Sequence, residues 1–373
     1  WHIDPRSEKS HSTAPRPPAG SVEIMSSSAS PLPARADRAA PAVSLSESIT
    51  PGQLARLRDE LADEGVPALR GAVDADAVLT ELAYALRPRI HERRVPSYGA
   101  IVVPGGTAEQ WAEAIGVPGQ LVDVTAVDPD EVRLFADGLS SWVLRCPGAI
   151  DHLVVFDRSV GDERLLVTLQ AAAGGTIVQR HPSGQVRVFG PAGVVRHDGI
   201  TWYHEPPATS WLVALGADAA DPVLERLMRC AVHDLGSRGI GATLVWRPSS
   251  SPEPAHLWDE RMPAPPALSI MEAGQLAAIR HALTQIDGAV VLDEGGRIRH
   301  LGVRLVPTPQ AEDAVAGLGG MRHTSALRYS HDDPDAIVVV VSEDGPVTVM
   351  RRGRVIVRAC ERECRADEDA DGV

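Results

Sequence analysis

The chain has 373 residues and a formal net charge of −14, with 44% apolar and 23% charged residues. This length allows two domains with a sizeable core, and the acidic balance argues against a general binder of nucleic acid or anionic membranes. Lys9 is the one lysine, which argues against P-loop NTPases, protein kinases and Schiff-base enzymes, because each needs a well-placed lysine.

Membrane and secretion signals are not evident in the sequence. No run of about 18 apolar residues predicts a transmembrane helix, and the start lacks the basic and apolar blocks of a signal peptide. The four cysteines are too few and too scattered for a disulfide framework, so they favour a reducing cytoplasm. Cys360 and Cys364 resemble half of a zinc site, but no second pair completes it.

The first half of the chain predicts a disordered segment followed by a mixed α/β domain. Residues 1–48 are rich in Ser, Pro and Ala and have little apolar surface to bury. Residues 49–220 begin with a helix capped by Thr50. A strand in "YGAIVVPG", a helix in "AEQWAEAIG", strands in "HLVVFD" and "RLLVTL", and a hairpin in "TIVQRHPSGQVRVFG" follow.

A group of basic and aromatic residues after that hairpin allows two interpretations. They either line a pocket for a small-molecule ligand or form an ordinary edge hairpin that buries a tryptophan; the group is Arg196, His197, Trp202, Tyr203 and His204. Some of these histidines precede acidic residues, as in a metal phosphohydrolase of the HD type. Such an enzyme would need them on a helical bundle, whereas strand or loop residues flank them here, so surface polar residues are favoured.

Residues 221–359 predict a second α/β domain with a mixed central sheet flanked by helices. A helix capped by Asp221 leads into the strand "IGATLVW", and a capping box from Ser269 to Glu272 predicts the start of the next helix. Strands follow in "AVVLD", "IRHLGVRL", "AIVVVVS" and "VTVMRRG", with a polar helix near 322–330. The acidic residues 360–373 predict a solvated tail.

One segment of the second domain places a carboxylate beside small residues at the start of a strand. This segment is Asp287-Gly288-Ala289, where a ligand can approach the backbone closely. An ordinary helix-to-strand turn is the alternative, since Asp and Gly are common there.

Two further segments carry residues suited to binding phosphate. "GLGGMRHTSALRYS" places Gly320 at a helix start and then Arg322 and His323. Helix N-termini favour anions, and arginine binds phosphate oxygens bidentately, although a solvated loop would use the same residues. Ser342 and Glu343 end a buried strand, where ligands gather in open α/β sheets.

Together these segments resemble the diadenylate cyclase domain of DNA-integrity scanning proteins and of membrane-associated cyclic di-AMP synthases. The family has a DGA motif, matched by Asp287-Gly288-Ala289, and an RHR motif, matched in part by Gly320, Arg322 and His323. "SRGIGATLVW" and "SED" resemble further family segments in the same order, and the resemblance spans about residues 222–358. Met321 stands where the family usually has Thr, and Thr324 stands in place of the final Arg.

The resemblance implies that two ATP molecules are joined into cyclic di-AMP between two face-to-face domains, so activity requires a homo-oligomer. It implies catalytic roles for Asp287, Arg322 and His323, with Asp287 holding Mg²⁺ or Mn²⁺. Substrate-binding roles are implied for Gly288, Ala289, Leu305, Gly320, Met321, Thr324, Ser342 and Glu343. Residues 49–220 are similar to the soluble α/β sensor regions that precede some cyclase domains, which implies a sensor or regulatory domain. The small-molecule ligand of this domain is the one that the pocket interpretation of its basic and aromatic group predicts.

Alternatives remain open at this level. The altered loop at Thr324 is compatible with a same-fold enzyme that makes another cyclic oligoadenylate, and with a catalytically silent nucleotide sensor. A dinucleotide-binding turn at Gly236, Gly239 and Gly241 is disfavoured, because these glycines follow a helix and precede a strand, the reverse of a Rossmann turn.

Overall fold

A computed structural model describes residues 49–358 except 73, 89, 91, 148, 217–220, 260–261, 263–264 and 344–345. The predicted disordered segment 1–48, the predicted tail 360–373 and the cysteine pair in that tail lie outside the described residues. Within them the chain forms two mixed α/β sheets flanked by helices, which confirms the predicted fold class.

The helices of the described residues are bounded as follows: α1 Pro51–Asp63, α2 Ala75–Leu86, α3 Ala108–Ile115, α4 Pro129–Arg133, α5 Glu163–Ala173, α6 Ala208–Ala214, α7 Pro222–Arg229, α8 Leu276–Leu283, α9 Pro309–Ala314 and α10 Met321–Asp332. A π-helical turn, Cys230–Leu235, continues α7, and a 3-10 turn, Gly236–Arg238, follows it.

The strands are β1 Tyr98–Val102, β2 Gly119–Asp123, β3 Ser141–Cys146, β4 Ala149–Phe156, β5 Thr176–Arg180, β6 Val186–Gly190, β7 Gly193–His197, β8 Trp202–Glu205, β9 Ala242–Trp246, β10 Trp258–Asp259, β11 Ala289–Leu292, β12 Ile298–Leu305, β13 Ile337–Val341, β14 Val347–Arg351 and β15 Arg354–Arg358.

The first sheet has eight strands in the order β2-β4-β3-β1-β5-β6-β7-β8. Among its described strands the β1–β3 pair is parallel, and the other neighbouring pairs are antiparallel. Side chains of β1 alternate between two apolar clusters, with Ala100 on one face and Ile101 on the other, as the two-residue period of a strand requires. Helices therefore cover both faces of this sheet, and β8 is an edge strand that buries Trp202.

The second sheet has seven strands in the order β10-β12-β11-β9-β13-β14-β15. Its parallel pair is β9–β11, and β12 and β13 run antiparallel to it on either side. The starts of β9 and β11 and the ends of β12 and β13 therefore lie along one edge of the sheet, namely the edge that runs across the strand ends. The three predicted polar segments meet this edge or lie next to it.

Two predicted local structures are wrong. "RLLVTL" is not a strand but the first part of α5, because Asp162 caps the helix, Leu166 and Leu169 are buried on one helical face and Gly174 ends it. The predicted capping box at Ser269 is also wrong. Ser269 pairs with Arg297 in an isolated bridge instead, and α8 begins only at Leu276.

Helix α6 lies before the predicted domain boundary at residues 220 and 221, but its apolar residues pack with the second sheet. Trp211, Leu212 and Leu215 share a buried cluster with Leu224 of α7 and Val339 of β13. Among the described residues no helix is long and apolar enough to cross a membrane.

Candidate nucleotide site at the edge of the second sheet

A cavity of about 460 Å³ opens at the sheet edge formed by the starts of β9 and β11 and the end of β13. Its lining includes Asp287, Gly288, Arg322 and Glu343. The carboxylate of the first polar segment and the guanidinium of the second therefore face the same space, although they come from different elements. Pockets of this size hold ligands of small-molecule dimensions.

Asp287 lies in the turn between α8 and β11, with Gly288 between it and the strand, and Asp287 is exposed. The next residue fixes this turn, because Gly288 has φ +95° and a Cβ there would lie 2.7 Å from the backbone carbonyl carbon of Gly302 in β12. Glycine is thus required by the close approach of two strands. Ala289 is buried and pairs with Val303 and Thr243, so it anchors the turn in the sheet.

Arg322 lies in the first turn of α10 and reaches across the start of β9. Its Nη2 is 4.0 Å from Oε1 of Glu343, and 40% of the Arg322 side chain and 78% of the Glu343 side chain are exposed. A Cβ at Gly241 would lie 2.5 Å from Nη1 of Arg322. The glycine before β9 therefore makes room for this guanidinium, which keeps a water-accessible positive charge at the cavity.

The glycine loop before α10 is held by Thr324. The Thr324 hydroxyl accepts from Leu318 N at 3.1 Å and donates to Leu318 O at 2.5 Å. Gly320 stands at the helix N-cap with φ +88° and no capping side chain. The backbone N–H groups of the first helical turn consequently have no side-chain cap from this residue, an arrangement suited to an anion.

The remaining predicted residues lie around the cavity rather than among its lining residues. Met321 is 89% exposed. His323 is partly buried, and its Nε2 lies 3.5 Å from Oγ1 of Thr348 in β14. Ser342 donates its backbone N–H to Pro346 O at 2.9 Å.

Leu305 is the last residue of β12. It is partly buried and packs with Trp258 and Leu318 against the apolar cluster on one face of the second sheet. An apolar contact is thus present near the loop, but Leu305 itself does not line the cavity.

Arg238 is a lining residue that the motif analysis did not select. It lies in the "SRGIGA" segment, whose resemblance to the family's opening strand was the available signal. Its guanidinium pairs with Asp162, the N-cap of α5 in the first domain. This ion pair connects the first domain directly to the cavity wall.

Two neighbouring polar contacts strengthen the same connection. Glu163 Oε1 lies 2.9 Å from Nδ1 of His233, and Arg164 Nη1 lies 3.7 Å from Oδ1 of Asp234. Burial raises the pKa of Asp234, an effect that Arg164 and other nearby arginines offset only in part. Three consecutive residues at the start of α5 thus hold the π-helical and 3-10 turns that lead into β9.

Two carboxylates in the cavity wall are the residues that could hold a divalent cation. In the described part of the chain, no group of three or more His, Cys, Asp and Glu side chains is placed to hold a metal ion. The cavity offers the carboxylates of Asp287 and Glu343. Mg²⁺ is commonly bound by one or two carboxylates together with substrate phosphates, and this donor set matches that pattern.

Two family models match separate parts of the chain. Residues 229–355 match the family model "DAC: DisA bacterial checkpoint controller nucleotide-binding". Residues 55–205 match the model "Probable sensor domain DACNK". The search of curated proteins found no match.

Solved structures similar to the chain include two bacterial proteins. A hypothetical membrane spanning protein from Bacillus cereus shares 24% identity over 34% of this chain and 59% of its own, with a TM-score of 0.28. A double-cysteine mutant of DacA from Staphylococcus aureus shares 21% identity over 38% of this chain and 88% of its own, with a TM-score of 0.26. At these TM-scores the two structures add nothing to the assignment made by the family models. The chain therefore contains a DAC domain at residues 229–355, preceded by a DACNK-type probable sensor domain at residues 55–205.

Proposed function

We propose that this chain is a diadenylate cyclase, a nucleotidyltransferase that joins two ATP molecules into cyclic di-AMP and releases two pyrophosphates. The observation that carries the proposal is that Asp287 and Arg322 line one cavity in the domain that matches the DAC model. A carboxylate and a guanidinium facing one space suit a triphosphate bound together with a divalent cation.

One protomer provides half of the reaction. A cavity of about 460 Å³ suits one nucleotide, whereas cyclic di-AMP needs the 3′-hydroxyl of each ATP to reach the α-phosphorus of the other. We therefore propose that two DAC domains meet at this sheet edge in a homo-oligomer. We also propose a cytoplasmic location, where ATP is available.

In each half-reaction a bond forms between the 3′-oxygen of one ATP and the α-phosphorus of the other. The bond from that phosphorus to the oxygen of the leaving pyrophosphate breaks, and the 3′-hydroxyl proton passes to solvent. Arg322 and the N-terminus of α10 would bind phosphate oxygens and stabilise the charge that develops on the leaving group. Asp287, with Glu343 as a second carboxylate, would hold Mg²⁺ or Mn²⁺. Such a cation lowers the pKa of a bound hydroxyl and neutralises phosphate charge.

Other residues in or next to the cavity wall would act in support. We propose that His323 joins Arg322 in holding the triphosphate and that the apolar side chain of Leu305 packs on adenine. Gly288, Ala289, Gly320, Met321 and Ser342 would shape the nucleotide pocket. Thr324 keeps the glycine loop in place through Leu318.

The direct test is to incubate the full chain with ATP and Mn²⁺ or Mg²⁺ and to identify the product by mass spectrometry. We expect cyclic di-AMP and one pyrophosphate released per ATP consumed, with no reaction in the presence of a chelator. A larger cyclic oligoadenylate would replace the proposal by the same-fold alternative. ATP binding without pyrophosphate release would establish a silent nucleotide sensor instead.

We expect Thr324→Val to weaken ATP binding by about tenfold. Valine keeps the shape but removes both hydrogen bonds to Leu318, and two such bonds are worth about 1–2 kcal/mol together. Calorimetric titration with a non-hydrolysable ATP analogue measures the change. Thr80→Val, which removes a threonine bond to a helix carbonyl in α2, is the matched control. Equal affinities for wild type and Thr324→Val would show that the loop needs no such clamp.

We expect Arg238→Ala to raise the KM for ATP by about five- to thirtyfold, because one cation is lost from the cavity. Asp162→Asn, which removes the partner of Arg238 in the first domain, should change the KM in the same assay while leaving the cavity cation in place. Arg354→Ala on the exposed strand β15 is the control. A wild-type KM in Arg238→Ala would show that Arg238 does not bind ATP. A wild-type KM in Asp162→Asn would show that the contact with α5 does not affect the cavity.

A further inference from the structure

A second cavity, of about 160 Å³, lies where the sensor domain meets the start of the DAC domain. Helix α5, the β6–β7 hairpin and the end of β8 form most of its wall, with Arg229 of α7 and His233 of the π-helical turn. Most of the side chains facing it are apolar, among them Val167, Phe189, Val194 and Pro206. This cavity is separate from the candidate nucleotide site, and the hairpin residues singled out in the sequence are not among its lining.

The cavity has a carboxylate in its wall that the protein leaves short of partners. Glu205 is 6% exposed, and its Oε1 has no hydrogen-bond partner among the described residues. Its nearest cation is Arg196, whose Nη1 lies 4.0 Å from Oε2. A buried carboxylate oxygen without a donor is costly, so a donor from a ligand would be favoured there.

The neighbouring carboxylate takes the donors that Glu205 lacks. Glu163 accepts from Arg196 Nη2 at 2.5 Å and lies 2.9 Å from His233 Nδ1. Burial opposes its ionisation, but Arg196 and His233 hold the pKa of Glu163 at about 2. For Glu205, burial outweighs the attraction of Arg196, and its pKa is raised to about 7. Of these two buried acids, only Glu205 lacks the donors and positive charge that would offset the cost of burying its own negative charge.

The other basic group in the wall is already neutralised. Arg229 donates from Nε to Glu225 Oε1 at 2.9 Å, and its Nη2 lies 2.8 Å from the same oxygen. Gln170 is likewise engaged, since its Nε2 donates to Gly175 O at 3.3 Å. The cavity thus presents apolar surface and one carboxylate that can still accept a charge-assisted hydrogen bond.

We propose that this cavity binds a small organic ammonium ion, whose N–H groups donate to Glu205 and whose apolar body packs on Val167, Phe189 and Val194. An apolar cavity of about 150 Å³ holds a benzene-sized molecule, so the body has about six to eight heavy atoms. A charged N–H donor is preferred to a neutral one, because charge-assisted hydrogen bonds are about twice as strong.

Such a ligand would contact both domains at once. Glu205 and α5 belong to the sensor domain, whereas Arg229 and His233 lead through the π-helical turn to Arg238 at the candidate nucleotide cavity. A bound ligand would therefore act on the π-helical and 3-10 turns, which are the segment that Asp162, Glu163 and Arg164 contact. This gives the probable sensor domain a class of ligand, and the binding itself does not depend on cyclase activity.

The test uses the full chain and two probes of equal shape, benzylamine and benzyl alcohol, titrated by calorimetry at about pH 8, where Glu205 is mostly ionised and an alkylammonium stays protonated. We expect benzylamine to bind wild type at least about tenfold more tightly than benzyl alcohol, and Glu205→Gln to lose this difference. Glu113→Gln, the same change at an exposed residue of α3, should behave as wild type. Hydrogen exchange of peptides from α5 and β8 should slow on addition of benzylamine.

Three results would overturn the proposal. Equal binding of the two probes to wild type would show that Glu205 gives no preference for a cation. Retention of the preference in Glu205→Gln would place the ammonium elsewhere. Absence of binding by both probes would mean that the cavity holds water only. The first and third results need no variant, so they decide the question even if Glu205→Gln does not fold.

Discussion

We expect Asp287→Asn to reduce cyclic di-AMP synthesis by about 100-fold or more while leaving the fold unchanged. The carboxylate is the acidic group of the DGA segment and lines the same cavity as Arg322. Loss of a bound cation removes several kcal/mol of transition-state stabilisation, and each 1.36 kcal/mol is about tenfold in rate. Asparagine is nearly isosteric, and the turn is fixed by Gly288 and buried Ala289, so stability should not change.

The measurement is the initial rate of pyrophosphate release at saturating ATP and Mn²⁺, with the melting temperature recorded for each variant. Asp313→Asn, the same change at an exposed residue of α9, is the matched control and should retain the wild-type rate. Wild-type turnover by Asp287→Asn would show that another group holds the cation and would remove Asp287 from the mechanism.

The largest expected effect on stability is that of Glu81→Gln in the sensor domain. Glu81 is fully buried in α2 and accepts from Tyr98 Oη at 2.5 Å, Arg133 Nε at 3.0 Å and Arg145 Nη1 at 2.7 Å. Removing one partner of a buried ion pair costs about 3–5 kcal/mol, because the remaining charges stay buried without compensation. Here two arginines lose the charge that they share.

This contribution should depend on pH. Burial alone would raise the pKa of Glu81, but hydrogen bonds and charge from Arg133 and Arg145 hold it below its ordinary value of 4.5. A carboxyl with a lowered pKa stabilises the folded state above its unfolded pKa, and the effect is lost as pH falls through the folded pKa. The difference between wild type and Glu81→Gln should therefore be full at neutral pH and shrink below about pH 4.5.

Hydrogen exchange of peptides from α2 and β1 measures this difference locally, which avoids a two-state assumption for a chain of two domains. Glu113→Gln on α3 serves again as the exposed control. Protection equal to wild type in Glu81→Gln at neutral pH would mean that the two arginines find other compensation.

Much of the candidate site could be predicted from the sequence. Asp287, Gly288 and Arg322 were selected from short motifs, and the structure brings all three to one cavity. The sequence could not place His323 or Leu305, which lie outside the lining, because a side chain's direction depends on its helix register and on the strands beside it. It also could not assign Thr324 its hydrogen bonds to Leu318, since these follow from the fold of the glycine loop.

The sequence by itself determined the α/β class, the buried strand Ile337–Val341 and the types of residue available for phosphate chemistry, because apolar periods and turn residues act over a few positions. Only the tertiary structure decided that "RLLVTL" is helical, that Arg238 meets Asp162, and that Glu163 rather than Glu205 receives Arg196 and His233. These outcomes join residues far apart in the chain. They depend on which elements pack together and on how many hydrogen-bond donors surround each buried carboxylate. No local sequence pattern determines the number of such donors.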